Sequence, residues 1–259
     1  AEDGIRDKLV TGVQTCALPI CRAELPFPSY VLRSSKNHGF AAGVNLLARQ
    51  SSGEFMFLLN PDAVLEPFCL ERLLERMQAD SAIGMCEARQ SPREHPKAWD
   101  PQTGETTWCS GAAVLIRRKA FEQAGGFDSR LYFMYCEDVD LSWKFWLLGW
   151  KCTYEPRAVV QHNTQDLDPS KRRTRENYYS FRNSLFLYYR FGGAADRPVL
   201  WRFLKQRLLA GPYSWRSRAL FAIALMDHIR YIPYLLHSRD SWKDRNHPWI
   251  RLKETSLSH

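Results

Sequence analysis

The segment FMFLLNPD, residues 55–62, contains five consecutive apolar residues followed by a polar turn. A continuous apolar run bounded by Gly53 and Pro61 is typical of a β-strand that is buried on both faces. In open α/β sheets, ligands bind beyond the carboxyl ends of the strands, and Asp62 stands at such an end. An Asp there can bind a divalent cation that neutralises a diphosphate, although Asn, Pro and Asp are also common turn residues.

Strands and helices alternate along the chain around this segment. Helices are predicted over residues 40–50, 67–78, 118–124 and 137–148, and further strands over 30–32, 83–88, 111–116, 151–154 and 158–161. This alternation predicts an α/β domain with a mostly parallel sheet flanked by helices. Beyond Pro169 the composition becomes basic and aromatic, and helical patterns over 199–210 and 216–236 predict a C-terminal helical extension.

The composition narrows the possible partners and the compartment. A net charge of +8, from 36 basic and 28 acidic residues, predicts an anionic partner such as a diphosphate, an anionic membrane or nucleic acid. The seven cysteines form no CxxC pair, which argues against a zinc ribbon or a disulfide framework and favours reduced thiols. The apolar stretch 219–226 is shorter than the ~20 residues that span a bilayer. We therefore expect a cytoplasmic protein.

A second acidic motif, Glu137-Asp138-Val139-Asp140, opens the helix predicted over 137–148. Carboxylates are favoured at a helix N-terminus by the helix dipole, so capping is one explanation of the motif. The alternative is that one carboxylate acts as a general base that removes a proton from an acceptor hydroxyl. The sequence of the motif alone leaves both explanations open.

Two further features are candidates for ligand binding. His162 follows a predicted apolar strand and can complete a Mg²⁺ or Mn²⁺ site with Asp62 and a diphosphate, although a lone His is more often structural. Gly39 and Gly43 lie between Asn37 and Asn45, where they can let the backbone approach a nucleotide at a helix N-terminus.

Three strings of sequence together resemble a known family. They are NHGFAAGVN at 37–45, FLLNPDAVL at 57–65, and the segment 111–150 that contains the Glu137-Asp138 pair. In their order and spacing they are similar to family 2 glycosyltransferases of the GT-A fold, within the bacterial rhamnosyltransferase and galactofuranosyltransferase-like branch. The resemblance covers residues 30–165.

The resemblance implies roles for individual residues. Asp138 matches the catalytic base, and Asn60 and Asp62 stand at the two ends of the DxD-type motif that holds the metal and the sugar diphosphate. His162 stands where some members place a metal-binding His. The remaining residues implied are Asn37, Gly39, Gly43 and Asn45 for the nucleotide, and Trp108 and Glu137 for the acceptor.

The sequence also departs from the family pattern. Asn60 replaces an acidic residue, and the family's first two βα units have no counterpart in the chain. Residues 1–21 are predicted to be a non-native leader, 22–168 a partial GT-A domain, and 169–259 a basic, aromatic helical region. Because the first strand is central to this fold, we expect the 259-residue chain to be poorly stable or inactive and a longer parent to be active.

The implied reaction is the inverting transfer of a sugar from a nucleotide-sugar donor to a glycan or lipid-linked acceptor, with Mg²⁺ or Mn²⁺ as cofactor. The basic, aromatic region 169–259 is either a packed helical appendage or a surface that contacts an anionic membrane at the inner face of the cell membrane. A nucleic-acid-binding protein is a rival hypothesis, but the chain has no recognised nucleic-acid motif, so we expect no nucleic-acid partner. A non-catalytic carbohydrate-binding module is the other rival.

Overall fold

The computed structural model describes residues 32, 34–95, 97–162, 174–211, 213–242, 247–250 and 252. The sheet part of the chain has four helices, α1 (Gly39–Gln50), α2 (Cys69–Ala79), α3 (Arg118–Gln123) and α4 (Glu137–Leu147). Its strands are β1 (Phe55–Leu59), β2 (Ala63–Leu65), β3 (Ile83–Ser91), β4 (Ala113–Arg117) and β5 (Lys151–His162). The predicted helices are confirmed to within two residues at each end, whereas the two short strands predicted over 151–161 are a single long strand, β5.

The five strands form one sheet in the order β1-β4-β3-β5-β2. The prediction of a mostly parallel sheet is wrong for the described strands, because only β3 and β5 pair in parallel and the other three pairings are antiparallel. The reason lies in the connections. The chain passes from β3 to β4 through a loop without a crossover helix, so β4 returns beside β3 in the opposite direction. The strand predicted at 30–32 lies largely outside the described residues, and Leu32 is not in a strand.

Both faces of the sheet are apolar, as the run at 55–59 predicts. Phe57 and Leu115 point to the face that α2 covers with Leu73 and Met77. Their neighbours along the strands point to the opposite face, where they pack among residues of α1, α3 and α4. This alternation explains why β1 and β4 read as continuous apolar runs, since each side chain reaches one of two cores.

The C-terminal region is helical, as predicted. It comprises α5 (Thr174–Phe191), α6 (Arg197–Lys205) with a π-helical continuation at Gln206–Ala210, α7 (Trp215–His228) and α8 (Ile232–Asp240). A small core of its own lies between α5, α6 and α7, around Phe181, Phe203 and Phe221.

Buried ion pairs tie this helical region to the sheet domain. The Arg190 guanidinium of α5 lies 2.5 Å from both the Asp140 carboxylate of α4 and the Asp128 carboxylate. Although burial acts to raise it, Arg190 and Lys144 hold the pKa of Asp140 below its usual range. Asp140 is thus an anchor for α5. The five cysteines within the described residues are free thiols, and all are buried.

Candidate active site

One end of the candidate site lies just beyond β1. The Asn60 N–H donates to the Ala112 carbonyl at 2.7 Å, and the chain then reverses so that the Ala63 N–H donates to the Asn60 carbonyl at 3.1 Å. This turn leaves Asp62 at its tip with 61% of its side chain exposed. The short strand β2 pairs with β5 in a register that sets Ala63 opposite His162. Strand pairing therefore brings His162 Nε2 to 3.2 Å from Asp62 Oδ1, as the metal-site prediction requires.

Hydrogen bonds fix the tautomer of the His162 ring. Its Nδ1 lies 2.7 Å from Gln90 Oε1, and Gln90 Nε2 in turn lies 3.5 Å from Glu87 Oε1. Because the Glu87 carboxylate accepts from the Gln90 amide, the amide oxygen faces the ring and Nδ1 carries the proton. The Nε2 lone pair then faces Asn60 Nδ2 at 3.4 Å and the Asp62 carboxylate. A lone pair beside a carboxylate is a donor set that fits a divalent cation.

The predicted cation site offers two side chains of the usual ligand type, Asp62 and His162. Within the part of the chain that the structure describes, no group of three or more His, Cys, Asp or Glu residues is arranged to hold a metal ion. Mg²⁺ sites that serve phosphate substrates commonly use one or two protein ligands and complete their coordination with phosphate oxygens and water. Asp62 supplies the carboxylate of such a site, and His162 adds an imidazole beside it.

The other end of the site is the start of α4. Tyr135 and Cys136 both have positive φ, 68° and 66°, a conformation that is costly for residues with a Cβ and concentrates at functional sites. The strained backbone is held from α5, since Asn183 Nδ2 donates to the Met134 and Tyr135 carbonyls at 2.8 Å. The two left-handed residues turn the chain so that α4 begins at Glu137, with Asp138 in its first turn.

Backbone amides hold the Asp138 carboxylate. Its Oδ1 accepts the Val139 N–H at 2.9 Å, and its Oδ2 accepts the Gly111 N–H at 3.0 Å. Burial raises the pKa of Asp138 above its usual range, while these two amides and the Lys97 ammonium act in the opposite direction. The carboxylate is thus more basic than an exposed one but is fixed in a single orientation, which suits a general base.

The segment Gly111-Ala112 connects the two ends. The Gly111 N–H donates to Asp138, and the next residue's carbonyl accepts from the Asn60 N–H. A Cβ on Gly111 would lie 3.0 Å from Phe40 Cζ, so α1 also closes on this segment. One dipeptide therefore sets the position of the Asn60-Pro61-Asp62 turn relative to Asp138.

A buried ion pair below this segment was missed by the sequence prediction. Glu87, on β3, is bonded to Lys97 and accepts the Ser110 N–H at 2.7 Å. Lys97 also donates to the Trp108 carbonyl at 3.1 Å and lies 4.6 Å from the centre of its ring. Burial raises the pKa of Glu87, an effect that Lys97 opposes. The signal in the sequence was a charged residue inside an otherwise apolar strand.

The two residues predicted to contact an acceptor are both buried. Trp108 is 2% exposed, beneath Lys97, and Glu137 is 6% exposed. Glu137 Oε2 has no hydrogen-bond partner among the residues that the structure describes, and burial together with the adjacent Asp138 raises the pKa of Glu137 well above the usual range. Neither side chain offers much surface to an acceptor in this conformation, so these roles stay predictions that the geometry does not support.

The predicted nucleotide segment makes structural contacts. Asn37 Oδ1 accepts the Gly39 N–H at 2.9 Å, and Gly39 has φ +80° with its Cα so close to Phe133 that a Cβ would lie 2.2 Å from the carbonyl oxygen. Asn45 Nδ2 donates to the Phe127 carbonyl at 2.7 Å, and its Oδ1 accepts the N–H of the same residue at 3.0 Å. Gly43 lies in the second turn of α1. These residues hold α1 against the 127–133 segment, and their role in nucleotide binding stays a prediction.

The amino-acid sequence is similar to those of known glycosyltransferases. Over 105 residues the chain is 37% identical to the N-acetylglucosaminyl-diphospho-decaprenol L-rhamnosyltransferase of Mycobacterium tuberculosis, covering 39% of this chain and 33% of that protein. It is 45% identical over 55 residues to the rhamnosyltransferase WbbL of Escherichia coli, covering 21% of this chain and 20% of that protein. The chain thus spans a third or less of the length of these curated relatives.

The fold is also similar to that of a solved structure, GalNAc-T7 with UDP, GalNAc and Mn²⁺. The TM-score is 0.53 at 15% sequence identity, and the similarity covers 80% of this chain and 45% of that one. This similarity shows the GT-A fold, with the mixed sheet described above. The family model for glycosyl transferase family 2 matches residues 3–137. The match begins inside residues 1–21, the segment predicted to be a leader. The domain boundaries predicted from the sequence stay predictions. Because this match covers more than half of the sequence, the chain belongs to glycosyl transferase family 2.

Proposed function

We propose that this chain carries the catalytic centre of an inverting glycosyltransferase, which moves a sugar from a nucleotide-sugar donor to a hydroxyl of a glycan or lipid-linked acceptor in cell-envelope polysaccharide synthesis. The observation that carries the proposal is the Gly111-Ala112 connection between Asn60 and Asp138. It joins a cation-binding turn to a fixed base through adjacent backbone groups. Similarity to two rhamnosyltransferases, one of them named for a diphospho-decaprenol acceptor, supports the substrate classes.

Asp138 is the proposed base. Each carboxylate oxygen accepts one backbone N–H and keeps a second lone pair for the proton of the acceptor hydroxyl. As the proton passes to Asp138, the acceptor oxygen attacks the anomeric carbon and the bond from that carbon to the diphosphate breaks, which inverts the configuration. The amides of Gly111 and Val139 fix the carboxylate in advance, so it needs no reorientation during the reaction.

Asp62 and His162 would hold the divalent cation, Mg²⁺ or Mn²⁺. When bound, the cation would neutralise the charge of the diphosphate leaving group. Gln90 keeps the His162 Nε2 lone pair directed at Asp62, and Asn60 supplies a neutral amide beside it. The GalNAc-T7 structure, which holds UDP, GalNAc and Mn²⁺, supports a divalent metal in this fold. A place at the inner face of the cell membrane, reached from the cytoplasm, follows from a lipid-linked acceptor.

A thermal-shift titration with a panel of nucleoside diphosphates, with and without Mn²⁺, tests the proposal. We expect one or more nucleotides to raise the melting temperature only with Mn²⁺, by an amount equivalent to about 2.7 kcal/mol at a hundredfold excess over Kd. Asp62→Asn should remove the metal-dependent part, and Asp138→Asn should keep it. No metal-dependent shift with any nucleotide would overturn the proposal, and a salt-sensitive shift with duplex DNA would favour a nucleic-acid-binding protein instead.

A further inference from the structure

The outer side of α7 is apolar although it faces solvent. Its inner side packs Phe221, Ala224 and His228 into the protein. The opposite side carries Trp215, Ala219, Ala222, Met226 and, just past its end, Ile229, all of them exposed. A surface helix of a water-soluble domain normally carries polar residues on that side, so α7 lacks the usual amphipathic pattern.

The neighbouring helix adds to the same layer. Trp201 on α6 and Leu209 in the π-helical continuation of α6 are exposed, while Phe203 and Arg207 are buried. The π-helical continuation contacts both α6 and α7. Together Trp201, Leu209, Trp215, Ile223 and Met226 are between 61% and 74% exposed, and we call these five side chains the apolar face. Exposed apolar side chains gathered on neighbouring helices in this way mark an interaction site.

The charge around the apolar face is positive. The region 169–259 contains eighteen basic and six acidic residues, so the rest of the chain is net acidic. Exposed Arg202 and Lys205 lie on α6, exposed Arg216 lies on α7, and exposed Arg230 follows the end of α7. The nearby acid, Asp227, is paired with Arg182 at 3.2 Å and with Arg230 at 3.0 Å. Trp side chains beside Arg and Lys are the composition of surfaces that lie at a bilayer interface.

We propose that the apolar face docks on an anionic lipid bilayer, with α6 and α7 lying along the surface and Trp201, Leu209, Trp215, Ile223 and Met226 inserted among the lipid headgroups and acyl chains. The expectation from residues 219–226 was too narrow, because the helical segment Trp215–Arg239 within the described residues is long and apolar enough to cross a membrane by length and composition. It lies on the surface instead, because its inner side is packed against α5 and because its Asp227 is paired with Arg182 of α5 and with Arg230.

The role of the apolar face in the reaction rests on the proposed function, in which the acceptor is linked to a lipid. The helix that α7 covers, α5, also holds the strained residues before Asp138 through Asn183. The helices of the apolar face therefore contact α5, which supports the residues before Asp138. A hydroxyl of a lipid-linked acceptor would approach Asp138 from the bilayer.

Co-sedimentation with vesicles tests the inference directly. We expect the chain to bind vesicles that contain phosphatidylglycerol and to bind pure phosphatidylcholine vesicles weakly, because the Arg and Lys residues attract anionic headgroups. The triple variant Trp215→Ser, Ile223→Ser, Met226→Ser should lower the partition coefficient by about tenfold or more, since it removes the apolar surface that inserts. All three side chains are exposed, so circular dichroism and melting should match the parent protein.

Two control variants distinguish insertion of the apolar face from nonspecific hydrophobic binding and from electrostatic attraction. Phe68→Ser removes an equally exposed apolar side chain, 66%, from the sheet domain and should leave vesicle binding unchanged. Arg216→Gln with Arg230→Gln should weaken binding at low salt and have little effect at high salt, where screening has already removed the attraction.

Three outcomes would overturn the inference: equal binding of the triple variant and the parent, an equal loss with Phe68→Ser, or binding to duplex DNA without binding to anionic vesicles. The metal-dependent nucleotide shift is measured without vesicles, so the two proposals fail separately. Vesicle binding without a nucleotide shift removes the proposed function alone, and the reverse result removes the membrane surface alone.

Discussion

The two ends of the candidate site hold their carboxylates in opposite ways. Asp62 lies at the tip of an exposed turn, with its Oδ1 3.2 Å from His162 Nε2. Asp138 is half-buried at the start of α4 and held by two backbone amides, and Asn183 of α5 supports the residues that precede it. In the proposed site, the Asp62 end needs a cation and a diphosphate to complete it, whereas the Asp138 carboxylate is already held by backbone amides. The comparison suggests that changes at Asp138 affect the rate and that changes around Asp62 affect binding.

The largest expected effect is that of Asp138→Asn. The amide oxygen can still accept one of the Gly111 and Val139 N–H groups, but the amide NH₂ cannot accept the other, and the side chain cannot take a proton. The rate of sugar transfer, measured in the longer parent that the sequence predicts to be active, should therefore fall by about 10²- to 10⁴-fold. Binding of the nucleoside diphosphate with Mn²⁺, measured by calorimetry, should stay within about twofold of the parent value. Parallel loss of rate and nucleotide affinity would mean that Asp138 is a structural cap, and the contrast with Asp62 would disappear.

The same contrast explains what the sequence could predict. The Asp62 end depends on one strand pairing and two side chains, and apolar runs ending in Asp62 and His162 are visible in the sequence. The Asp138 end depends on backbone conformation, on the positive φ of Tyr135 and Cys136 and on the Gly111 amide. Positive φ at residues other than Gly leaves little trace in a sequence, because tertiary contacts such as those of Asn183 enforce it.

The sheet also shows which features a sequence can predict and which depend on tertiary contacts. The apolar runs were sufficient to predict strands buried on two faces, since burial depends on local composition. Strand direction depends on how the chain travels between strands, and the helix-free loop from β3 to β4 reverses it. The roles of Gln90 and Glu87 were not predicted, because each depends on a tertiary partner. Gln90 bonds His162, which is distant in the chain, and Glu87 pairs with Lys97, which lies in a loop.

A smaller effect is expected at the open end from Gln90→Leu. Losing the acceptor for the Nδ1 proton frees the His162 ring to rotate and change tautomer, so Mn²⁺ affinity should fall by about tenfold or more. Titration of Mn²⁺ by electron paramagnetic resonance measures the affinity without any turnover. Gln161→Leu is the matched control, because Gln161 precedes His162 on β5 but bonds the exposed Glu66 at 2.8 Å. Equal affinities of the two variants would show that the Asp62 end needs no support from Gln90.

The smallest expected effect concerns Glu137, which lies next to the base but has a buried, unpartnered Oε2. Burial and Asp138 raise its pKa well above the usual range in the folded protein, so its protonated form is the one that the fold favours. Below about pH 4.3 the side chain is protonated in both the folded and unfolded states and costs the fold no charge burial. As pH rises toward the folded pKa, the unfolded chain releases the proton more readily, and the free energy of unfolding falls.

Glu137→Gln removes that dependence. The variant should be about 1 kcal/mol more stable than the parent at pH 8 and close to it at pH 4.5, as measured by urea unfolding at both pH values. Glu122→Gln is the control, because Glu122 is 64% exposed and its replacement should shift stability equally at both pH values. A stability gain that does not grow with pH would mean that Glu137 finds a partner or water for its carboxylate. In that case the Asp138 end of the site would be wetter than its geometry indicates, and Asp138 would lose the desolvation that raises its pKa.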